Sequence, residues 1–342
     1  MNIGIVGCGM VAQEHLRALR RLPSTKVIAL CDSNEKALAA TSKEWNIKSR
    51  YTDLQKMLDD EKLDILSILT PPQSHRPQAI EAIKRNVNVL VEKPLTMSSE
   101  EAEQILNCLK QNNAKLTVDY VMLFSKVMQR AAHLAKTDQI GKVLGAEINY
   151  LCTKDDPMSS NEKHWCHKMP GGRLGEMLPH PIYVLQSILG SKLQIEKVSA
   201  AKAGDYAWMR NDELKVLLRG RNGWGDIYAS FNAPRPAITV DVYGTRKILK
   251  VDLVNHTLVE LGARSLSRMD SGLDSLRQSS SLLASTMVNV TEFIRTARME
   301  NSLRRVYSSF VNSIETDTDP EITPEMALET VKITEEVCSL IP

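Results

Sequence analysis

The chain has 342 residues, 43% of them hydrophobic and 25% charged, with 43 basic and 41 acidic side chains and a formal net charge of +2. That length predicts two domains, and that balance a sizeable core. The near-neutral charge gives no footing for a nucleic-acid arm or a membrane-binding face, and no run approaches the about 18 consecutive apolar residues of a membrane span.

The chain opens directly on a strand, Ile3 to Val6, where a secretory signal would place a basic region and an apolar core. Strands are predicted at Asn2–Val6, Lys26–Cys31, Ile65–Leu69, Val87–Val91 and Lys115–Val118, each rich in Val, Ile and Leu as strands buried on both faces should be. Helical stretches alternate with them. In the first, Ala12, Leu16 and Leu19 share one face, and a later one opens with Ser98 and Glu101 in the spacing of a capping box. Strand, helix and strand in repetition predict a parallel sheet with helices on both faces.

After about residue 120 the rhythm changes. Leu144–Leu151, Lys215–Leu218, Asp226–Phe231, Ile238–Val242 and Ile248–Val251 read as strands joined by turns, which predicts an antiparallel sheet. Helices are expected around Ile182–Leu189 and in the C-terminal third. Ser265–Ser285 is left open between a mobile loop and a helix, and Pro324–Leu340 reads as a final helix with proline in its first turn. The predicted fold class is therefore α/β, with a Rossmann domain over residues 1–120. A second α/β domain with a large, mostly antiparallel open sheet covers residues 121–342, its final helix able to pack back on the first domain.

Gly7-Cys8-Gly9-Met10-Val11-Ala12 follows the first strand and opens the first helix. In a G-x-G-x-x-A turn the first glycine allows the tight bend, the second lets a pyrophosphate approach the backbone, and the small third residue lets helix and strand pack closely. Free N–H groups and the helix dipole favour the phosphates there. Asp32 ends the second strand, where an acid hydrogen-bonds an adenosine ribose and repels a 2′-phosphate. NAD is thus favoured over NADP, with Lys36 nearby as the one feature pulling the other way. Leu69-Thr70-Pro71-Pro72-Gln73-Ser74-His75 turns at the carboxyl edge of the third strand, which puts Thr70, Pro71 and His75 at the cofactor.

Val91-Glu92-Lys93-Pro94 ends the next strand. With the glycine turn and the Thr70–His75 turn, it resembles the glucose–fructose oxidoreductase / inositol dehydrogenase / MocA (Gfo/Idh/MocA) family, as does Pro320-Glu321-Ile322-Thr323-Pro324-Glu325-Met326-Ala327-Leu328 near the end. The resemblance covers nearly the whole chain. It implies that Lys93, with Glu92 beside it, lies against nicotinamide and substrate. It also implies that the open sheet makes a homodimer or homotetramer. The family's second motif is matched by Gly171-Gly172-Arg173-Leu174-Gly175-Glu176-Met177-Leu178-Pro179-His180, with Glu176 where an aspartate is usual and His180 at the catalytic histidine. Two departures follow: Leu123 stands where an arginine is common, and Tyr183 where an acid is common. Pro179 and Pro181 flank His180, so a helix is expected to start near residues 178–181, after Glu176.

On this reading the enzyme moves a hydride between NAD and a secondary alcohol of a sugar, sugar nucleotide or cyclitol. His180 is the general base and acid, Lys93 stabilises charge on the reacting oxygen, and Glu176 orients His180 or binds a substrate hydroxyl. Tyr120, Trp165, Arg173 and Tyr183 are candidate substrate contacts, with Lys163 and Lys168 beside Arg173 as a diphosphate site. Two other readings are weighed: tightly bound NAD used transiently for elimination or epimerisation, and a non-catalytic dinucleotide sensor. Cys152, His164, Cys166 and His167 cluster, but in no regular zinc spacing, so no metal is expected. Six cysteines without a C-x-x-C pair read as reduced thiols of a cytoplasmic protein.

Overall fold

The computed structural model describes residues 1–263, 268–296 and 302–341 and divides into two compact units. One comprises Met1–Val121 and Leu303–Lys332, the other Met122–Ser302 and Ile333–Pro342.

In the first unit β1 (Asn2–Val6), α1 (Met10–Leu19), β2 (Lys26–Cys31), α2 (Glu35–Trp45), β3 (Ser49–Tyr51) and α3 (Leu54–Asp60) form one half. The other half is β4 (Ile65–Ile68), α4 (His75–Ile83), β5 (Asn88–Val91), α5 (Ser99–Lys110) and β6 (Leu116–Val118). The six strands are all parallel, in the order β3-β2-β1-β4-β5-β6 of a doubly wound nucleotide-binding sheet. Burial on both faces explains the unbroken apolar runs: every residue of β4 is buried, as are Val89, Leu90 and Val91 of β5. The short strand β3, Ser-Arg-Tyr, carries no such run and has no counterpart in the sequence reading. Ser98 caps α5 by accepting the Glu101 amide, while Glu101 reaches back to the Met97 amide.

The second unit begins with α6 (Lys126–Lys136), β7 (Val143–Leu151), α7 (Pro157–Ser160), α8 (Gly172–Met177) and α9 (Pro179–Leu189). Six strands follow: β8 (Gln194–Ala201), β9 (Glu213–Gly220), β10 (Gly223–Ser230), β11 (Ala237–Gly244), β12 (Lys247–Asp252) and β13 (Thr257–Gly262). The sheet order is β13-β12-β11-β7-β10-β9-β8, antiparallel throughout except for the β7–β10 pair. Helix α9 is buried along nearly its whole length and packs on β7 and β10. Trp224, Tyr228 and Leu144 are exposed large side chains of β10 and β7.

Two segments take definite form here. Helix α9 starts at Pro179, within the expected residues 178–181 and after Glu176, but Glu176 itself lies in a further helix, α8, with Leu178 between the two in helical conformation and its amide bonded to the Leu174 carbonyl (2.9 Å). Burial of Leu178 holds it in the α region despite the proline that follows. Of the segment Ser265–Ser285, residues 265–267 lie outside the described ones, and Arg268–Thr296 is a helix, α10. Its polar residues face the sheet, with Ser285 accepting the Leu258 amide and Asn289 donating to the Asn255 and His256 carbonyls. Leu276, Leu283 and Met287 are exposed, an arrangement that hides the usual amphipathic signal.

The chain then passes through α11 (Ser302–Glu315) to α12 (Pro324–Leu340). From Leu303 to Lys332 it counts with the first unit, although residues 121–342 read as one domain in sequence. Val306, Tyr307, Phe310 and Val311 form the buried stripe of α11, and Thr117 of β6 donates to the Ile322 carbonyl (3.0 Å).

Candidate active site

The carboxyl ends of β1, β2, β4, β5 and β6 define one edge of the first sheet, where ligands of such folds bind. Gly7 has φ +98°, and a Cβ there would sit 2.7 Å from the Leu69 carbonyl group, so only glycine fits this turn. At Gly9 an added Cβ would meet nothing within 4 Å, and Met10 and Val11 beyond it are exposed. Open backbone at the start of α1 is the cradle a pyrophosphate requires, so the residues present fit a dinucleotide. Asp32 stands beside this loop, accepting the Cys8 amide (2.7 Å) and the Asn34 amide (2.7 Å). Burial together with Asp32 pushes the Cys8 thiol up to about 12, which keeps it protonated.

After β4, Thr70 donates to Gln78 (2.7 Å) and Pro71 is exposed. His75 is a correction to the expected cofactor contact. Its ring is fully buried, with Nδ1 2.9 Å from the Pro94 carbonyl oxygen and Nε2 2.7 Å from that of Thr70. Burial lowers its pKa, so it serves as a neutral brace tying the β4 turn to the Lys93 loop.

Glu92 Oε2 accepts the Lys93 amide (3.1 Å). Its other oxygen lies 2.8 Å from His15 Nε2, and His15 Nδ1 lies 2.8 Å from the Tyr307 hydroxyl, which also meets Ser67 Oγ at 2.9 Å. Asp119, at the end of β6, places Oδ2 3.7 Å from His15 Nε2. Burial pushes the Glu92 carboxyl up, but the hydrogen bond and charge of His15 outweigh it and hold it below its ordinary value, with help from Lys93. Burial and the neighbouring Glu92 raise Asp119 well above the usual carboxylate range. Tyr120, next along, is fully buried and hydrogen-bonded to Thr330, a packing position and not the expected substrate contact.

In the second unit, Gly171 (φ +71°) and Gly172 (φ +58°) turn the chain into α8. Arg173 is buried, 6% exposed, with Nε 3.2 Å from Asp156 Oδ2, Nη1 bonded to Glu176 Oε2 and the guanidinium over the Phe231 ring. Lys163 and Lys168 are exposed, so the three cations expected to act together are not displayed together. His180 is half-buried: its ring stacks 5.9 Å from Tyr150, and Nδ1 lies 2.9 Å from the hydroxyl of the fully buried Tyr183. Trp165 is half-buried beside His164, their ring centroids 5.2 Å apart. His167 Nε2 is 2.9 Å from the Met158 carbonyl oxygen, and Cys166 is buried. Among the described residues, one group of His, Cys, Asp or Glu could hold a metal ion: His15, Glu92 and Asp119.

His15, Ser67, Tyr307, Tyr150 and Asp156 carry no role in the sequence reading. His15 left a trace there, as a polar residue on the apolar Ala12–Leu16–Leu19 face of the motif helix. Tyr307 left none, because it lies 292 residues from His15.

A glycine loop with an open cradle, a strand-end Asp32 and an E-K-P lysine on one sheet edge define a dinucleotide-binding domain. Residues 1–120 match the family described as "Oxidoreductase family, NAD-binding Rossmann fold", and residues 128–250 match "GFO/IDH/MocA C-terminal domain". The chain belongs to the Gfo/Idh/MocA family. An oxidoreductase of Formosa agariphila is 27% identical over 205 residues, 58% of this chain and 64% of the relative. D-apiose dehydrogenase of Paraburkholderia graminis is 25% identical over 151 residues, 44% of this chain and 40% of the relative. The matches thus span less than two thirds of the length of these curated relatives. The fold is similar to that of the WlbA dehydrogenase of Bordetella pertussis, solved with NADH and UDP-GlcNAcA. The TM-score is 0.80 and the identity 18%, over 99% of this chain and 95% of that one. No helix among the described residues is long and apolar enough to cross a membrane.

Proposed function

We propose that the protein is a dehydrogenase acting on a secondary alcohol of a sugar-type substrate, a free sugar, cyclitol or sugar nucleotide. The observation that carries this reading is Lys93: it sits on the sheet edge that bears the glycine loop, on a loop fastened by Glu92, His15 and His75. D-apiose dehydrogenase and the enzyme solved with UDP-GlcNAcA support the substrate class. Bound at the Gly7–Val11 turn and Asp32, the dinucleotide supplies the hydride acceptor or donor. Asp32 favours NAD over NADP, because a carboxylate opposes a 2′-phosphate.

On this reading Lys93 hydrogen-bonds the reacting oxygen and stabilises the charge that develops on it. His180 takes the hydroxyl proton in oxidation and returns it in reduction. With Nδ1 held at the Tyr183 hydroxyl, that proton moves at Nε2. Glu176, ion-paired to Arg173, is a fixed charge and not the proton carrier. The open face of the second sheet, with Trp224 and Tyr228 exposed, favours assembly into a homodimer or homotetramer. Six cysteines, none of them in a disulfide, favour a cytoplasmic setting.

The test is NADH absorbance with purified wild type and Lys93→Ala against free sugars, cyclitols and sugar nucleotides, with NAD and NADP in parallel. We expect one class to reduce NAD, and the variant to lose about 100- to 1,000-fold in kcat, as when a group stabilising a developing oxyanion is removed. Equal rates for the two proteins overturn the reading.

A further inference from the structure

Beneath the Lys93 loop lie two carboxyl groups that touch one histidine. Glu92 is 16% exposed in its side chain and Asp119 7%, and His15 is 1% exposed. One oxygen of each carboxyl group and a ring nitrogen of His15 all lie within 4.8 Å of one another. Two carboxylates this close and this poorly solvated cannot both be ionised, and one proton shared between them removes the repulsion. The hydrogen bonds say which residue holds it. Glu92 has a partner on each oxygen: Oε2 accepts the Lys93 amide and Oε1 lies 2.8 Å from His15 Nε2, contacts that suit a carboxylate. Asp119 Oδ1 is buried with no hydrogen-bond partner. An unpartnered oxygen is tolerable on a neutral carboxylic acid and far less so on a buried carboxylate.

We infer that His15 and Asp119 are positioning residues for Lys93. Asp119 is protonated and donates to Glu92, His15 clamps the other side of Glu92, and the single remaining charge fixes the Lys93 loop. The inference rests on the reading of Lys93 as a catalytic residue. It also gives the fold a mechanical link, because His15 belongs to α1, the helix whose first turn forms the dinucleotide cradle. The direction of the Asp119 shift agrees, burial being its largest cause and Glu92 the next. The groups facing the pair are Glu14 and His15 on α1, Lys93 after β5 and Tyr307 on α11. Glu14 opposes a second negative charge, as Glu92 does, and Lys93 favours one.

The sign of the pH effect follows. A carboxyl that stays protonated in the folded chain and ionises in the unfolded chain stabilises the fold at low pH. That stability is lost as pH rises from the ordinary carboxylate value towards the raised one. The first measurement is therefore the melting temperature against pH for cofactor-free wild type, Asp119→Asn and Asp119→Ala. Wild type should lose stability across that window, and Asp119→Asn, whose amide donates at every pH, should lose markedly less. The second measurement is turnover. Asp119→Ala should fall about 100-fold, the scale of a catalytic group misplaced by 1 Å, and Asn should recover most of that loss.

Parallel melting curves for wild type and Asp119→Asn overturn the inference, as does an Asn variant no better than Ala. So does one zinc ion bound per chain in equilibrium dialysis and lost in His15→Gln, since a metal would then hold the three ligands. The melting curves need no catalysis. If Lys93→Ala retains full activity, the dehydrogenase reading fails while the protonation of Asp119 is still decided.

Discussion

Each unit buries a glutamate near its proposed chemistry, and the two are neutralised by different means. In the first unit Glu92 meets a histidine and a second acid. In the second, Glu176 meets Arg173, which also binds Asp156. A guanidinium remains charged at any pH a protein survives, so the Arg173 cluster is insensitive to pH above the range where carboxylates titrate. The proton on Asp119 can leave. The comparison teaches that burial alone does not predict a role: one cluster is a fixed brace and the other changes charge with pH.

The largest effect should come from breaking the brace. Glu176→Ala leaves Arg173 buried with one carboxylate in place of two, and about 3–5 kcal/mol of unfolding free energy should be lost. Urea unfolding checks it. A loss of under about 1 kcal/mol, the scale of an exposed pair, would show that water reaches Arg173 freely and that the two clusters are not comparable. Glu176→Gln sharpens the contrast: its melting temperature should fall, but the slope against pH assigned to Asp119 should be that of wild type.

A smaller effect should follow in the first unit from Tyr307→Phe. The phenol bonds His15 and Ser67, both buried, and removing it leaves two polar groups unpaired. About 1–3 kcal/mol of stability should be lost. Turnover should fall as well, since His15 would lose the contact that holds its ring against Glu92. Stability lost with turnover intact would place Tyr307 in the fold alone and separate α11 from the chemistry.

The same contrast governs what could be read from sequence. The glycine turn, Asp32, the E-K-P loop and the strands of the parallel sheet are local: each is a short run whose residue types have one physical explanation. Period-2 and unbroken apolar runs likewise located the main strands of the second sheet, while the edge strands β8 and β13 and the three-residue β3 carry too weak a pattern. The braces were not legible. Arg173 binds Asp156 seventeen residues back, and Tyr307 reaches His15 across 292 residues. Nothing in a run of sequence marks such partners. The run of Lys163, Lys168 and Arg173 suggested one cationic site because charge in sequence says nothing of burial, and Arg173 is buried while the two lysines are exposed. Pro179 and Pro181 misled in the other direction: they remove two amide donors, but the Leu178–Leu174 bond carries the helix through, so Glu176 and His180 share a nearly continuous helical segment.

The smallest effect separates the two histidines. His15 is pinned on both ring nitrogens within the core, whereas His180 is half-buried and held at Nδ1 by the hydroxyl of Tyr183. Tyr183→Phe keeps the ring volume, the edge contact with His180 (5.6 Å) and the burial, and deletes one hydroxyl. The hydroxyl also accepts the Met122 amide (3.4 Å), but only its bond to His180 bears on the chemistry, so the loss should be about 0.5–1.5 kcal/mol, or about twofold to twelvefold in kcat. Because Nδ1 would no longer be anchored, the ring could present either tautomer, so kcat should fall while the KM for substrate stays close to wild type. A variant with unchanged kcat and raised KM would move Tyr183 from orienting the base to binding the substrate. His180 would then keep its ring contacts with Tyr150 and with the aromatic ring at position 183, whereas His15 is fixed through both ring nitrogens.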